Sequence, residues 1–243
     1  MQLANKTALV TGGGTGIGAA CALALAREGC RVAISGRREG PLRQTAASFS
    51  GELPILTHAA DVGDRDDIER LFEWANGELG RIDILVHSAG VNVRKRSMEE
   101  LSPDDWDLLM RVNATGAYNC MRAVLPQMRE RRDGLIVLIS SIAGLRASLL
   151  GGVAYTASKF AMSALGLTLA RELTEIGIRI TNVYPGEVET PILAERPVPV
   201  SAEHRARILQ PEDVADAVVM IAKLPPRANV SEIVIKPTTQ DFA

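Results

Sequence analysis

Tyr155 and Lys159 stand four residues apart in the stretch AYTASKFAMSALG, residues 154–166. On a helix that spacing puts both side chains on one face. A free phenol titrates near about 10, and a neighbouring ammonium favours the phenolate and lowers that value. The pair therefore has the makings of a proton donor and acceptor that works near neutral pH. It also fits an ordinary helical turn with a core tyrosine and a solvated lysine. The choice between these rests on the rest of the chain.

The second chemical feature is TGGGTGIG, residues 11–18. Glycines at 12, 13, 14, 16 and 18 let the backbone turn tightly and approach a ligand. An apolar run precedes them and a helical pattern follows, so the free N–H groups of a helix start face the gap, as suits a pyrophosphate. The Lys-Ser/Thr ending of a nucleoside-triphosphate loop is absent, which weakens a kinase or ATPase reading. About twenty residues on, in AISGRREG, a carboxylate would bind a ribose 2′-OH. Arg37 and Arg38 stand there instead, and a guanidinium fork suits a 2′-phosphate. That favours NADP over NAD.

These residues need a scaffold, and the apolar pattern supplies one. Short runs at 6–10, 31–35, 55–60, 82–87, 135–140, 179–184 and 232–236 are nearly continuously apolar, as in strands buried on both faces. Amphipathic stretches near 17–28, 41–49, 65–79, 103–131, 154–175 and 211–223 lie between them. SPDDW at 102–106 and QPEDV at 210–214 carry helix-start signals, with proline and acids in the first turn. Strand–helix alternation predicts an α/β fold, a doubly wound parallel sheet of about seven strands with helices on both faces. No repeat or linker divides residues 1–243, so one domain is expected. The stretch 190–209 holds three prolines and no clear period, and reads as a substrate loop or lid.

Composition narrows the partners. Apolar residues are 47% of the chain and the formal charge is −2, which argues against a polyanion or nucleic-acid binder. NVRKRS and MRERRDG read as solvated faces. Cys21, Cys30 and Cys120 form no CxxC pair, the three histidines make no ligand spacing, and no metal site is expected. No apolar run approaches the roughly 20 residues of a membrane span, and the first residues lack the order of a signal peptide. The expected setting is a reducing cytoplasm.

Taken together, these motifs resemble the classical branch of the short-chain dehydrogenase/reductase family, in order along essentially the whole chain. TGGGTGIG resembles its TGxxxGIG loop, which implies cofactor contacts from Gly12, Gly14, Thr15, Gly16, Ile17 and Gly18. Asp61–Val62 resembles the acidic dipeptide that meets the adenine. HSAG at 87–90 stands where NNAG is usual, placing Ser88, Ala89 and Gly90 at the cofactor. VNATG resembles the segment of the active-site asparagine, here Asn113. ISSIAG resembles the strand end with the catalytic serine, here Ser141, fourteen residues before Tyr155. YTASK is the family's YxxxK. In VYPGEVET, Pro185, Gly186, Val188 and Thr190 match the turn that touches the nicotinamide.

The resemblance departs at three places. His87 and Ser88 replace asparagines. Thr15 stands where many NADP-using relatives carry a basic residue, which leaves a 2′-phosphate to Arg37 with Arg38. The tail PPRANVSEIVIKPTTQDFA lacks the usual glycine pair and is similar to the branch with NADP-dependent 3-hydroxy acid dehydrogenases.

The resemblance implies a set of roles. Tyr155 is the proton donor and acceptor, and Lys159 lowers its pKa and holds the nicotinamide ribose. Ser141 holds the substrate oxygen, and Asn113 holds a water that links Lys159 to solvent. The expected function is NADP(H)-dependent hydride transfer between a secondary alcohol and its ketone, with a 3-hydroxy acid or 3-oxoacyl compound as candidate small-molecule substrate. Alternatives are a catalytically silent NADP-binding protein and an epimerase or dehydratase of the wider family. Substrate walls are expected from 91–96, 145–152 and 190–209, where Arg94, Arg96 and Arg146 are read as solvated in preference to gripping an acid group of the substrate. The apolar content of 103–131 and 154–175 predicts helix-to-helix subunit contacts, in a homotetramer or homodimer.

Overall fold

The computed structural model describes residues 3–241 and contains one seven-stranded parallel sheet of order β3-β2-β1-β4-β5-β6-β7. The strands are β1 (Thr7–Thr11), β2 (Arg31–Gly36), β3 (Leu56–Ala59), β4 (Ile84–His87), β5 (Gly134–Ile139), β6 (Ile178–Pro185) and β7 (Glu232–Ile235). All seven coincide with the apolar runs read from the sequence. This is a Rossmann-like fold, and its strand order reverses direction between β1 and β4. At such a switch the loops leaving adjacent strands diverge and open a crevice at their carboxyl ends.

Two apolar layers cover the sheet. Ala8 and Val10 of β1 pack toward α1 (Gly16–Arg27) and α8 (Pro211–Lys223), while Leu9 joins a core with α3 (Arg65–Leu79), α5 (Gly116–Arg131) and α6 (Val153–Glu172). The alternation follows from the two-residue period of a strand, and burial on both faces explains why these runs are continuously apolar. A shorter helix α2 (Glu39–Ala47) follows β2.

The expected helix over 103–131 is divided. Its N-terminal part, α4 (Pro103–Leu109), is capped by the Ser102 hydroxyl, which accepts from Asp105 N at 3.1 Å. A π-helical turn at Met110–Thr115 then widens the backbone before α5 begins. Such a turn adds a residue without breaking the helix, so the apolar period does not reveal it. At α8 the Asp213 carboxylate accepts from Gln210 N at 2.8 Å, the acid-first start that the sequence signals.

The proline-containing stretch 190–209 is more ordered than its composition suggests. It holds a 3-10 turn at Pro191–Glu195 and a one-turn helix α7 (Ala202–Arg205). A single parallel bridge joins Val188 to Leu209 and closes the segment into a loop. Among the described residues no helix is long and apolar enough to cross a membrane, and no group of three metal-ligating side chains stands together. The three cysteines are free and buried, and burial pushes Cys21 and Cys30 up to about 12.

Candidate active site

The crevice at the β1/β4 switch is a cleft of about 700 Å³. Its floor begins at the glycine loop. Gly12 has φ +70°, and a Cβ there would lie 2.7 Å from Ala89 N, so glycine is required both for conformation and for closeness to the loop after β4. A Cβ at Gly18 would lie 2.2 Å from Gly12 O. Gly18 therefore packs the helix against the turn and does not line the cleft. Thr15 precedes α1 without a side-chain cap. The first-turn N–H groups are left for a ligand, and the cradle fits a dinucleotide pyrophosphate.

A side pocket beyond the glycine loop is lined by Gly14, Arg37, Arg38, Asp61 and Val62. Both arginines are exposed, and neither forms an ion pair among the described residues. Asp61 is held in place at both ends of its residue. Its Oδ1 accepts from Gly63 N at 2.9 Å and its own N donates to Asp67 Oδ2 at 2.8 Å.

At the other end Ser141, Tyr155 and Lys159 line one wall, and Pro185, Gly186, Val188 and Thr190 line the same cleft. Two adjacent serines at the end of β5 do different work. Ser140 also borders the cleft but is buried, with its Oγ bonded to Ser163 Oγ at 3.0 Å. Ser141 is on the cleft, where its Oγ accepts from Ala143 N at 3.1 Å. Tyr155 and Lys159 both lie on α6, and Nζ of the lysine is 5.7 Å from the centre of the tyrosine ring.

Lys159 is 4% exposed, and Nζ donates to Ile139 O at 2.9 Å. Burial lowers its pKa to about 7. The sequence spacing predicted a lowered phenol. Here the phenol of Tyr155 stands above its ordinary value, because burial outweighs a hydrogen bond with Ser141 and the positive charge of Arg96, which both pull down.

Asn113 is fully buried behind this wall and does not line the cleft. It sits in the π-helical turn, where its Oδ1 accepts from Val91 N at 2.8 Å. Its Nδ2 donates to Val91 O and to Ser158 Oγ, each at 3.0 Å, and Ser158 in turn donates to Tyr155 O at 2.8 Å. Asn113 thus ties the loop after β4 to the helix that carries Tyr155. Ser88, Ala89 and Gly90 line the cleft, and a Cβ at Gly90 would lie 3.4 Å from Lys159 Nζ.

His87 fills the first position of HSAG and is fully buried. Its Nδ1 pairs with Thr11 Oγ1 at 2.9 Å, and Nε2 has no partner among the described residues. Burial, with the charge of Lys159, holds its pKa down to about 3. The unfolded chain binds a proton below about 6.5 that the folded chain refuses until about 3. The stability due to this group is therefore present above pH 6.5 and lost as pH falls through that interval. His87→Asn should lose less melting temperature than the parent between pH 7 and pH 4. Parallel curves for the two proteins would contradict this account.

The substrate walls correct one reading of the sequence. Arg96, expected to be solvated, is 8% exposed and lines the cleft. Its guanidinium donates to Val93 O at 2.9 Å, Leu150 O at 2.7 Å and Glu195 O, so it joins three loops. No spacing rule singles out this arginine among its basic neighbours. Arg94 is exposed and donates to Ala194 O at 2.9 Å, and Arg146 is exposed too. In MRERRDG, Arg131 is half-buried and donates to Ile82 O, so that segment is not a wholly solvated face. Sequence reasoning also missed Glu187, whose carboxylate accepts from Arg196 at 2.8 Å and pairs with His204 at 2.6 Å. These contacts fasten the 190–209 loop to the turn after β6 and hold Glu187 below the usual carboxylate range, against the opposing effect of burial.

Fold and cleft together define a dinucleotide-type α/β protein with a tyrosine, a serine and a lysine gathered at the end of the crevice. Residues 6–198 match the family described as short chain dehydrogenase. The chain belongs to the short-chain dehydrogenase family of oxidoreductases. It is 38% identical over 241 residues to a glycine betaine reductase of Emericella nidulans, covering 97% of this chain but only 19% of that protein. It is 32% identical over 240 residues to an uncharacterized oxidoreductase of Staphylococcus saprophyticus, covering 98% of this chain and 99% of the relative. Among solved structures, the closed form of a serine dehydrogenase complexed with NADP+ superposes with a TM-score of 0.89 at 30% identity, covering 98% and 97% of the two chains.

Proposed function

We propose that this chain is an NADP(H)-dependent oxidoreductase that interconverts a secondary alcohol and its ketone, with 3-hydroxy acids and 3-oxoacyl compounds as the first substrate classes to test. One observation carries the reading. Ser141, Tyr155 and Lys159 converge on a cleft continuous with the glycine loop and with Arg37 and Arg38. A nicotinamide dinucleotide supplies the hydride when bound. The rest of the work falls to this chain. Ser141 donates to the substrate oxygen and stabilises the negative charge that grows there. Tyr155 delivers the proton in reduction and takes it back in oxidation. Lys159 stabilises the phenolate so formed and binds the ribose. Asn113 acts behind the wall, keeping Val91 and the Tyr155 segment in register.

The direct test is loss of absorbance in the reduced nicotinamide band on mixing the protein with NADPH and a carbonyl panel. No turnover with 3-oxo acids, 3-oxoacyl thioesters or other ketones would overturn the activity. Cofactor choice has its own test. Arg37 and Arg38 have no acidic partner among the described residues, and a 2′-phosphate would supply one. NADP+ should bind more tightly than NAD+, and Arg37→Asp should shift the preference toward NAD+. Dissociation constants for both nucleotides check this, and an NAD+ preference in the parent protein would refute it.

The same reading takes residues 1–243 as one domain of a cytoplasmic oligomer. Trp106 on α4, Tyr118 on α5 and Phe160 on α6 are 38%, 39% and 42% exposed. Large aromatic side chains left in water on successive helices mark a surface for subunit contact. Light scattering at micromolar concentration should give two or four times the monomer mass, and a stable monomer would contradict it.

A further inference from the structure

The tail after β7 has no role in the chemistry described so far, yet it returns to the cleft. Gly186 N donates to Ile235 O at 2.7 Å, which carries the β6–β7 ladder one step into the turn. Beyond β7 the chain folds back, with Gln240 N donating to Pro237 O at 3.0 Å and Lys236 Nζ to Gln240 O. The Gln240 side chain comes to lie against Gly186, so closely that a Cβ there would sit 2.3 Å from its Oε1. That oxygen accepts from Glu187 N at 2.9 Å.

A backbone N–H can only donate, so this bond fixes which way the carboxamide faces. Oε1 points to the turn. The NH2 group has no hydrogen-bond partner among the described residues, and Gln240 is part of the cleft wall beside Pro185, Gly186 and Val188. Glu187 is thus held at both ends, its N–H by the tail and its carboxylate by Arg196 and His204.

We propose that Gln240 is a cofactor-positioning residue, which sets the Pro185–Val188 turn through Oε1 and offers its two N–H donors to an oxygen on the nicotinamide half of the dinucleotide. This rests on the dinucleotide-binding reading above. A residue that acts only there should leave the adenosine half alone. The informative ligands are therefore NADPH and 2′,5′-ADP, titrated against the parent protein, Gln240→Ala and Gln240→Glu, with melting temperatures in parallel. Gln240→Ala should weaken NADPH about tenfold, the scale of a lost hydrogen bond. Its affinity for 2′,5′-ADP should stay within about twofold on the same scale. Gln240→Glu keeps the acceptor for Glu187 N–H and loses the donors, so it too should weaken NADPH and spare 2′,5′-ADP. Unchanged NADPH binding in Gln240→Ala, or an equal loss of both ligands, would overturn the proposal. Unchanged NADPH binding in Gln240→Glu would overturn the donor role. A parent protein that binds neither ligand removes the dinucleotide reading itself, and this proposal with it.

Discussion

Tyr155→Phe should lower turnover by at least about a hundredfold while leaving the fold and NADPH affinity nearly unchanged. The substitution deletes one hydroxyl and keeps a ring that already packs on the cleft wall. Positioned proton transfer contributes roughly 10²–10⁴ in rate, and Ser141 alone cannot replace the missing proton. The raised phenol sharpens the expectation. At neutral pH the group holds its proton, which is the form that reduction needs. Oxidation needs the phenolate, so the oxidative rate should climb with pH into the alkaline range while the reductive rate does not. Turnover in both directions, a titration with NADPH and a melting curve make the comparison. A folded Tyr155→Phe protein with near-normal turnover would reduce YTASK to a helical turn.

Lys159→Met should harm both turnover and cofactor affinity, by a different route. The lysine is buried, with one carbonyl as its hydrogen-bond partner among the described residues, so its ammonium costs the folded protein stability. Its folded pKa of about 7 lies below the ordinary 10.5, and between these values the unfolded chain binds more protons. The stability due to this group is complete above 10.5 and is lost as pH falls toward 7. The parent should therefore gain stability from pH 7 to pH 8.5, below the range where the buried thiols of Cys21, Cys30 and Cys120 oppose the trend. Lys159→Met keeps the apolar stem and removes the charge, so that slope should disappear. At pH 7 its melting temperature should be no lower than the parent's, while turnover falls by about a hundredfold or more. A variant that melts earlier yet turns over normally would mean that Lys159 is only packing.

The Ser141–Tyr155–Lys159 wall and its neighbours differ in how far the sequence shows them. Tyr155 and Lys159 are local, since a four-residue spacing on a helix survives any tertiary arrangement. Gly12 is legible because a positive φ and a close backbone approach leave one residue type. Ser141 is legible only through its distance from Tyr155 in a known pattern, for Ser140 has the same chemistry but is buried and bonded to Ser163, while Ser141 is half-buried. Arg96 and Gln240 carry no local signal. One is a basic residue among basic residues and the other a glutamine in a polar tail. Each becomes a cleft residue through partners far along the chain: Glu195 O for Arg96, and Glu187 N for Gln240.

By itself the sequence determined the seven strands, the parallel winding and the glycine loop. Each follows from local periodicity and backbone freedom, which do not depend on distant contacts. Tertiary structure alone decided the electrostatics. Burial sets the direction of shift at Tyr155, Lys159 and His87, and burial belongs to the packed chain, not to any residue in it. Tertiary structure also decided that Asn113 stands behind the wall, because a π-helical turn changes its direction by less than an apolar pattern can register.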